Sequence, residues 1–309
     1  MLALANLLWA GNWVTGRALG EVFDPVSLNF WRWTLASLIL LPFALPALVA
    51  KRAILRRDAG ILLVLAFFGV ALFQTMVYQG LRTTTAVNAV LLNSSLPLFM
   101  LLCSWALEGE RPSGRQIAGM LVSLAGILVI VSRGELERLR QVAGMLLSFC
   151  GILVILARGD PASLLQFELH AGDAWILLAM PVWGIYSVLL KRRPSELGGS
   201  PFLLAISAAG ALMLAPLYAA QAIAVPPRWP SPAEAIGVLY IALAASVLAF
   251  AFWNRGVAVV GANAAGFTIH LLPAFGTVLA ILLLDESFAG FHAAGFVTIL
   301  CGVFLATRR

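Results

Sequence analysis

Charge is what this chain has least of. Only 11% of its 309 residues are Asp, Glu, Lys or Arg, against roughly 25% in a soluble domain. Most of the chain therefore cannot face water. Cysteine is nearly absent too. Cys103, Cys150 and Cys301 lie in three separate apolar runs with no CxxC and no neighbouring His, which argues against a thiolate metal site and leaves three small hydrophobes. There is no Walker A motif, so this polypeptide does not pump with ATP by itself. No apolar run carries an Asp or Glu well inside it, so proton antiport through a buried carboxylate is unsupported. No run offers a paired Asp/His or a Ser/Lys dyad, so an intramembrane enzyme is unsupported, and nothing implies a cofactor. The first apolar run begins at Leu2, and Asn12, Thr15 and Arg17 interrupt it. That is unlike the core of a cleavable signal, and we read it as a first membrane helix.

What the chain does have is apolar length. Hydrophobic residues make up 61% and mean hydropathy is +0.97, and a bilayer core of ~30 Å needs roughly 20 helical residues. Ten spans are expected, at 2–20, 27–50, 59–80, 86–107, 116–132, 173–190, 201–223, 234–253, 262–284 and 292–307. Pro and charge separate them, as at Asp24-Pro25, Lys51 to Asp58 and Pro226 to Pro232. The formal charge of +6 and pI near 9.8 could suggest nucleic acid. The basic residues sit in short clusters between apolar runs instead, which is membrane topology rather than a nucleic-acid footprint.

The chain repeats itself. Ala86 to Ile130 recurs without a gap 176 residues later, with 12 of 45 positions identical. Pro97 falls on Pro273, Glu110 on Glu286, Gly119 on Gly295 and Gly126 on Gly302, and Pro25 falls on Pro201 at the same offset. Paired repeats in a helical membrane protein build a transport site at their interface. Each half holds five spans, an odd number, so the halves should lie antiparallel. Pro97 and Pro273, inside their spans, should kink or loosen those helices.

A second, local repeat complicates the count. Arg115 to Gly134 and Arg140 to Gly159 match at 14 of 20 positions with a period of 25. Residues 1–134 then form the first repeat, 135–165 a surplus copy of the fifth helix, and 166–309 the second repeat. With ten spanning helices and a cytoplasmic N-terminus, the inside loops hold 12 of the 20 basic residues, Lys51, Arg57 and Lys191 to Arg193 among them. An eleventh span would flip everything after Arg140 and put those later clusters outside. The positive-inside rule favours ten core helices with both termini cytoplasmic, and the surplus copy peripheral or paired with a neighbouring molecule.

Leu96-Pro97 followed by Glu108-Gly109-Glu110, Gly119 and Gly126, and their counterparts from Leu272-Pro273 to Gly302, resemble the EamA family of the drug/metabolite transporter superfamily. Leu8 to Trp13 and the Pro25 to Arg32 spacing are similar to that family as well. The resemblance implies a ten-helix, inverted-repeat metabolite exporter in a bacterial-type cytoplasmic (inner) membrane. The family's branches handle amino acids, sugar phosphates, nucleotide sugars and drugs. Its small multidrug relatives place a Glu in the first helix, where this chain has only Asn12, Thr15 and Arg17.

Polar groups inside spans are costly and usually face a cavity. Asn12, Arg17, Arg32, Gln74, Tyr78, Asn93 and Ser94 in the first half, with Trp183, Tyr186 and His270 in the second, are the candidate substrate-binding residues. Arg17 or Arg32 could hold a carboxylate and the amides and hydroxyls an amine. Alternatively, both arginines snorkel to the outer boundary and His270 is a packing residue. Trp9, Trp13, Trp31, Trp33, Trp105 and Trp229 read as interfacial belt or lipid-facing residues, with Trp183 and Trp253 nearer the cavity. The paired glycines Gly119, Gly126, Gly295 and Gly302 read as helix-packing positions.

The expected function is secondary export of small organic metabolites, amino acids with aromatic ones included, by alternating access. The partners are a small-molecule substrate and membrane lipid, with no nucleic acid and an oligomer through the surplus helix as one outcome. The competing reading is a non-transporting or engineered scaffold whose extra helix mediates assembly. Deleting Gln141 to Leu165, which rejoins Arg140 to Gln166, is expected to keep or raise thermal stability and flux. Unfolding on that deletion would mean that the second copy fills the fifth slot.

Overall fold

The computed structural model describes residues 1–20, 22–84, 89, 92, 93, 95–131, 171–225, 229–284, 297, 301 and 304. The surplus copy at 135–165, most of the tenth span, Ser94 and Glu286 lie outside the described residues. The described part is helical throughout. In chain order the helices are α1 (Leu2–Gly20), α2 (Pro25–Ala50), α3 (Ala59–Leu81), α4 (Leu96–Glu108) and α5 (Gly114–Val131). There follow α6 (Ala171–Arg192), α7 (Gly199–Ala224), α8 (Pro232–Val260) and α9, which runs as Ala262–Phe267, a 3-10 turn Thr268–His270 and Leu271–Leu284. Five of them, α2, α3, α6, α7 and α8, are long and apolar enough to cross a membrane. Large apolar side chains such as Phe43 and Leu212 face outward, 77% and 73% exposed, as a lipid-facing surface requires.

Local chemistry sets the helix ends. Asp24 caps α2 by accepting from the backbone N–H of Val26 and Ser27, 3.0 Å each, with Pro25 at the first helical position. Ser231 and Glu234 form a capping box at the start of α8. Gly109, at φ 74°, ends α4 in the left-handed region that side chains avoid. Pro97 does not sit inside a continuous helix as expected. It opens α4 directly after Ser95, at a turn, because a proline lacks the N–H that an interior position would need. Its repeat mate Pro273 likewise follows the 3-10 turn at Thr268–His270.

Two helices widen to π-helical turns at Phe67–Leu72 in α3 and Ile241–Leu248 in α8. Adding 176 to 67–72 gives 243–248, so the two distortions occupy equivalent places in the sequence repeat. Such widened turns leave backbone carbonyls for other donors, and α2 supplies donors to both. Asn29 Nδ2 donates to Val70 O and Ala71 O of α3, at 3.0 and 3.2 Å. Arg32 Nη2 donates to Ala245 O of α8 at 3.3 Å.

Helix directions follow from the contacts. The ring of Phe30, near the start of α2, stacks on Tyr218, near the end of α7, at 4.4 Å. At the other end Lys51, just past α2, donates to the carbonyl of Glu196, just before α7. The repeat-related helices α2 and α7 therefore run in opposite directions. Tyr186 fills the space beside Gly69, while Ile176 and Gly172 meet Gly80, so α6 runs against α3. Asn12 meets Tyr78, and Arg17 meets Thr84 just past the end of α3, so α1 runs with α3. Helix α1 packs on α8 and α9, and α6 packs on α3 and α4. Exchanging each helix for its repeat mate leaves that pattern unchanged.

Small residues bring these helices close, the usual device where lipid gives no hydrophobic drive. A Cβ on Gly172 would lie 2.3 Å from the backbone oxygen of Gly80 and 2.6 Å from the Thr84 nitrogen, neither able to retreat alone. Gly172→Ala is expected to destabilise the protein by about 1–3 kcal/mol, the usual cost of overpacking, read as a lowered thermal midpoint in detergent. Gly60→Ala, with nothing within 4 Å of its Cβ, should leave the midpoint unchanged or slightly raised.

Candidate functional site

Tryptophans expected at the lipid boundary are in the middle of the protein. Trp9 and Trp33 are buried, 7% and 0% exposed. They turn inward because they belong to the packed faces of α1 and α2, and the Trp9 indole has a fixed partner, donating to Ala245 O at 3.0 Å. Only Trp31, Trp105 and Trp229 of the expected belt are exposed. Trp9 meets Trp183 edge to face at 5.3 Å. Phe250, Trp253, Phe73 and Tyr186 complete one aromatic cluster around this pair.

Beside the cluster lies a narrow cavity walled by Trp9, Asn12, Trp13, Phe73, Gln74, Asn93, Leu96, Trp183, Phe250, Ile269 and Leu272. Its free volume of about 20 Å³ admits a water or so, too little for an organic metabolite in this arrangement. The wall comes from α1, α3 and α4, with the turn before it, and from their repeat mates α6, α8 and α9. Gln74 with Phe250, Asn93 with Ile269 and Leu96 with Leu272 are mates at the 176 offset.

Next to the wall, Arg32 is completely buried, so it does not snorkel. Its Nε donates to Ser246 Oγ at 2.5 Å, its Nη1 to Tyr78 Oη at 3.0 Å and to Asn12 Oδ1 at 3.3 Å, and its Nη2 to Ala245 O. Tyr78 Oη in turn donates to Asn12 Oδ1 at 3.1 Å. The guanidinium also lies 5.2 Å from the Trp33 ring centroid. Among the described residues every hydrogen-bond acceptor of this cation is a neutral oxygen.

The same Tyr–Asn bond exists in the other half with the residue types exchanged. Tyr186 Oη donates to Asn254 Oδ1 at 2.7 Å. Asn254 is the mate of Tyr78 at 176 residues, while Tyr186 is the mate of Asn12 at 174, the offset that also joins Trp9 to Trp183. Asn12 follows Trp9 by three positions just as Tyr186 follows Trp183. The mate of Arg32 is Ala208, so only one of the two pairs carries a charge.

The structure gathers Asn12, Gln74, Asn93 and Trp183 at the wall and sets Arg32, Tyr78 and Tyr186 directly behind it. His270 is buried in the 3-10 turn of α9 beside the wall residue Ile269. Arg17 lies apart, exposed and donating to Thr84 O at 3.0 Å. Trp9, Trp13, Phe73, Phe250 and Ser246 are site residues that the polar-residue criterion passed over. The Trp9/Trp183 match was the available signal, hidden by its two-residue shift from the main repeat.

Polar contacts tie down both ends of α6. At one, Lys191 binds Glu108 and, at 3.0 Å, Glu110, to which Ser104 and Asn263 also donate. The hydrogen bond from Lys191 holds the Glu110 carboxyl below its ordinary range. Its share of this contact is thus present above pH 4.5 and fades as pH falls through the lowered value, a modest effect for so exposed a pair. At the other end Thr84 donates to the buried Asp173, a carboxylate in the first turn of α6. Tyr186→Phe leaves Asn254 Oδ1 without its donor and is expected to cost about 1–2 kcal/mol. Asn12→Leu removes an acceptor from a buried cation and should cost more, about 3–5 kcal/mol. Thermal unfolding of both variants checks the order.

Comparison with known proteins agrees with this architecture. The profile of the EamA-like transporter family matches residues 1–132 and 170–308. An uncharacterized transporter of Archaeoglobus fulgidus is 26% identical across all of this chain and 96% of its own length. A probable terminal-alkyne amino-acid exporter of Streptantibioticus cattleyicolor is 25% identical across all of this chain and 92% of its own. A solved crystal structure superposes with a TM-score of 0.69, covering 99% of this chain and 95% of that one at 19% identity, a likeness of fold. With a profile match on both halves and transporters as relatives, the chain belongs to the EamA-like transporter family and is a multi-pass membrane transporter, not an enzyme.

Proposed function

We propose that this transporter exports small organic metabolites, apolar and aromatic amino acids foremost, by alternating access between two inverted five-helix repeats. The observation that carries the reading is the narrow aromatic cavity at the contact of Trp9 with Trp183. A wall drawn from three helices of each half is where rocking of one repeat against the other would open and close a site. The opposed directions of α2 and α7 support the inversion, and the two equivalent π-helical stretches give each half a deformable helix. The amino-acid substrate draws support from the wall's aromatic and amide groups and from the exporter of Streptantibioticus cattleyicolor.

In this proposal ten core helices span a bacterial-type inner membrane with both termini cytoplasmic, and the surplus copy at 135–165 lies outside the core or pairs with a second molecule. Asn12, Gln74, Asn93 and Trp183 touch substrate, and Arg32, Tyr78 and Tyr186 hold them in place. His270, the mate of Ser94 at the 176 offset, flanks the same site, and Pro97 and Pro273 set the helix breaks that admit it. Arg17 serves the closure through Thr84 rather than the substrate.

Purified protein in proteoliposomes should exchange L-phenylalanine, and Asn93→Ala or His270→Ala should lower that flux at least several-fold with expression intact. Unchanged flux in both variants would move the site elsewhere. For the topology, single cysteines at Arg57, Arg193 and Arg309 should all resist an impermeant thiol reagent in intact cells. Labelling at the last two alone would establish eleven spans.

A further inference from the structure

We infer that the cavity recognises its ligand by a carboxylate attached to an apolar or aromatic body, and that Arg32 sets this preference from behind the wall without touching the ligand. The inference rests on the reading of the cavity as the transport site.

The first argument concerns which atoms face inward. A guanidinium only donates, so the Asn12 atom that meets Arg32 Nη1 and the Tyr78 hydroxyl has to be its carbonyl oxygen. This fixes an amide orientation that crystallography usually has to assign from its surroundings. It commits the Asn12 oxygen and leaves its NH₂ as the polar group the wall can offer. Asn93 Nδ2 and Trp183 Nε1 are buried wall atoms with no partner among the described residues. An indole N–H cannot be turned into an acceptor, so at least one of these groups is a donor under any assignment. Unmet buried donors are expensive unless something accepts from them, and a carboxylate accepts through two oxygens.

Charge gives the second argument. Among the described residues no Asp or Glu stands in the wall. Arg32 is wholly buried among neutral acceptors. A cation without a counter-ion in a low-dielectric interior favours an arriving anion and opposes an arriving ammonium. The faces of Trp9, Trp13, Phe73 and Phe250 would by themselves attract an ammonium. The two effects therefore predict opposite preferences, and the unscreened full charge is the stronger in a site that excludes water. The aromatic surfaces then hold the body of the ligand.

The test uses two probes of nearly equal size, 3-phenylpropionate and 2-phenylethylamine, whose binding to the full chain in nanodiscs is followed by calorimetry. The carboxylate should bind at least tenfold more tightly than the amine. Trp183→Phe keeps a ring and loses the N–H, and should weaken the carboxylate about tenfold and the amine by less, because an ammonium accepts no hydrogen bond. Arg32→Gln should abolish the discrimination, and if that variant does not fold, the Trp183→Phe comparison still decides. Equal affinities, preference for the amine, or no binding of either probe would overturn the inference. Carboxylate preference without L-phenylalanine flux would defeat the transport reading alone, whereas flux with amine preference would defeat this inference alone.

Discussion

One buried cation ties the described core together. Arg32 reaches from α2 to the π-helical stretch of α8 through Ser246 and Ala245, to α1 through Asn12 and to α3 through Tyr78. A guanidinium out of water is costly, and a network whose members are all satisfied is the condition under which it persists. The surrounding sequence is fitted to that condition. The widened turn of α8 frees a carbonyl, Gly16 leaves room for the Tyr78 ring, and Trp33 covers the cation with its face. Removing any one acceptor loads the others, so α1, α2, α3 and α8 are held in a common arrangement.

That arrangement is symmetric in form and asymmetric in charge. Asn12 with Tyr78 and Tyr186 with Asn254 are the same bond in the two halves, with the residue types exchanged. Exchange preserves the hydrogen bond because either order supplies one hydroxyl donor and one amide acceptor. Duplication followed by divergence can therefore keep the geometry while identity is lost. Arg32 has only an alanine as its mate, so this buried guanidinium has no counterpart in the second half.

The overall architecture was legible in the sequence because span length and the 176-residue repeat are strong signals. The expected spans at 2–20, 59–80, 201–223 and 262–284 agree with the observed helices to within two residues at each end. The site was legible only in part. Asn12, Gln74, Asn93 and Trp183 were found because polar or aromatic groups inside a span are costly or conspicuous. Trp9 and Trp33 were placed in the lipid belt because composition says that a tryptophan is amphipathic and not which way it points. The π-helical stretches were invisible, since Phe67 to Leu72 and Ile241 to Leu248 have ordinary apolar helix-forming sequences and are widened by tertiary contacts from Asn29, Trp9 and Arg32.

Lys191 with Glu108 and Glu110 ties down one end of α6, and Thr84 with Asp173 the other, and the proposed alternating access requires these two ends to part in turn. Cysteine accessibility at the wall tests this most directly. With Cys103, Cys150 and Cys301 replaced by alanine and a cysteine placed at Leu96, an impermeant thiol reagent is applied to oriented proteoliposomes, from each side in turn. Alternating access predicts labelling from either side during exchange and protection from both when the site is held closed. Labelling from one side only, or from neither during exchange, would contradict it.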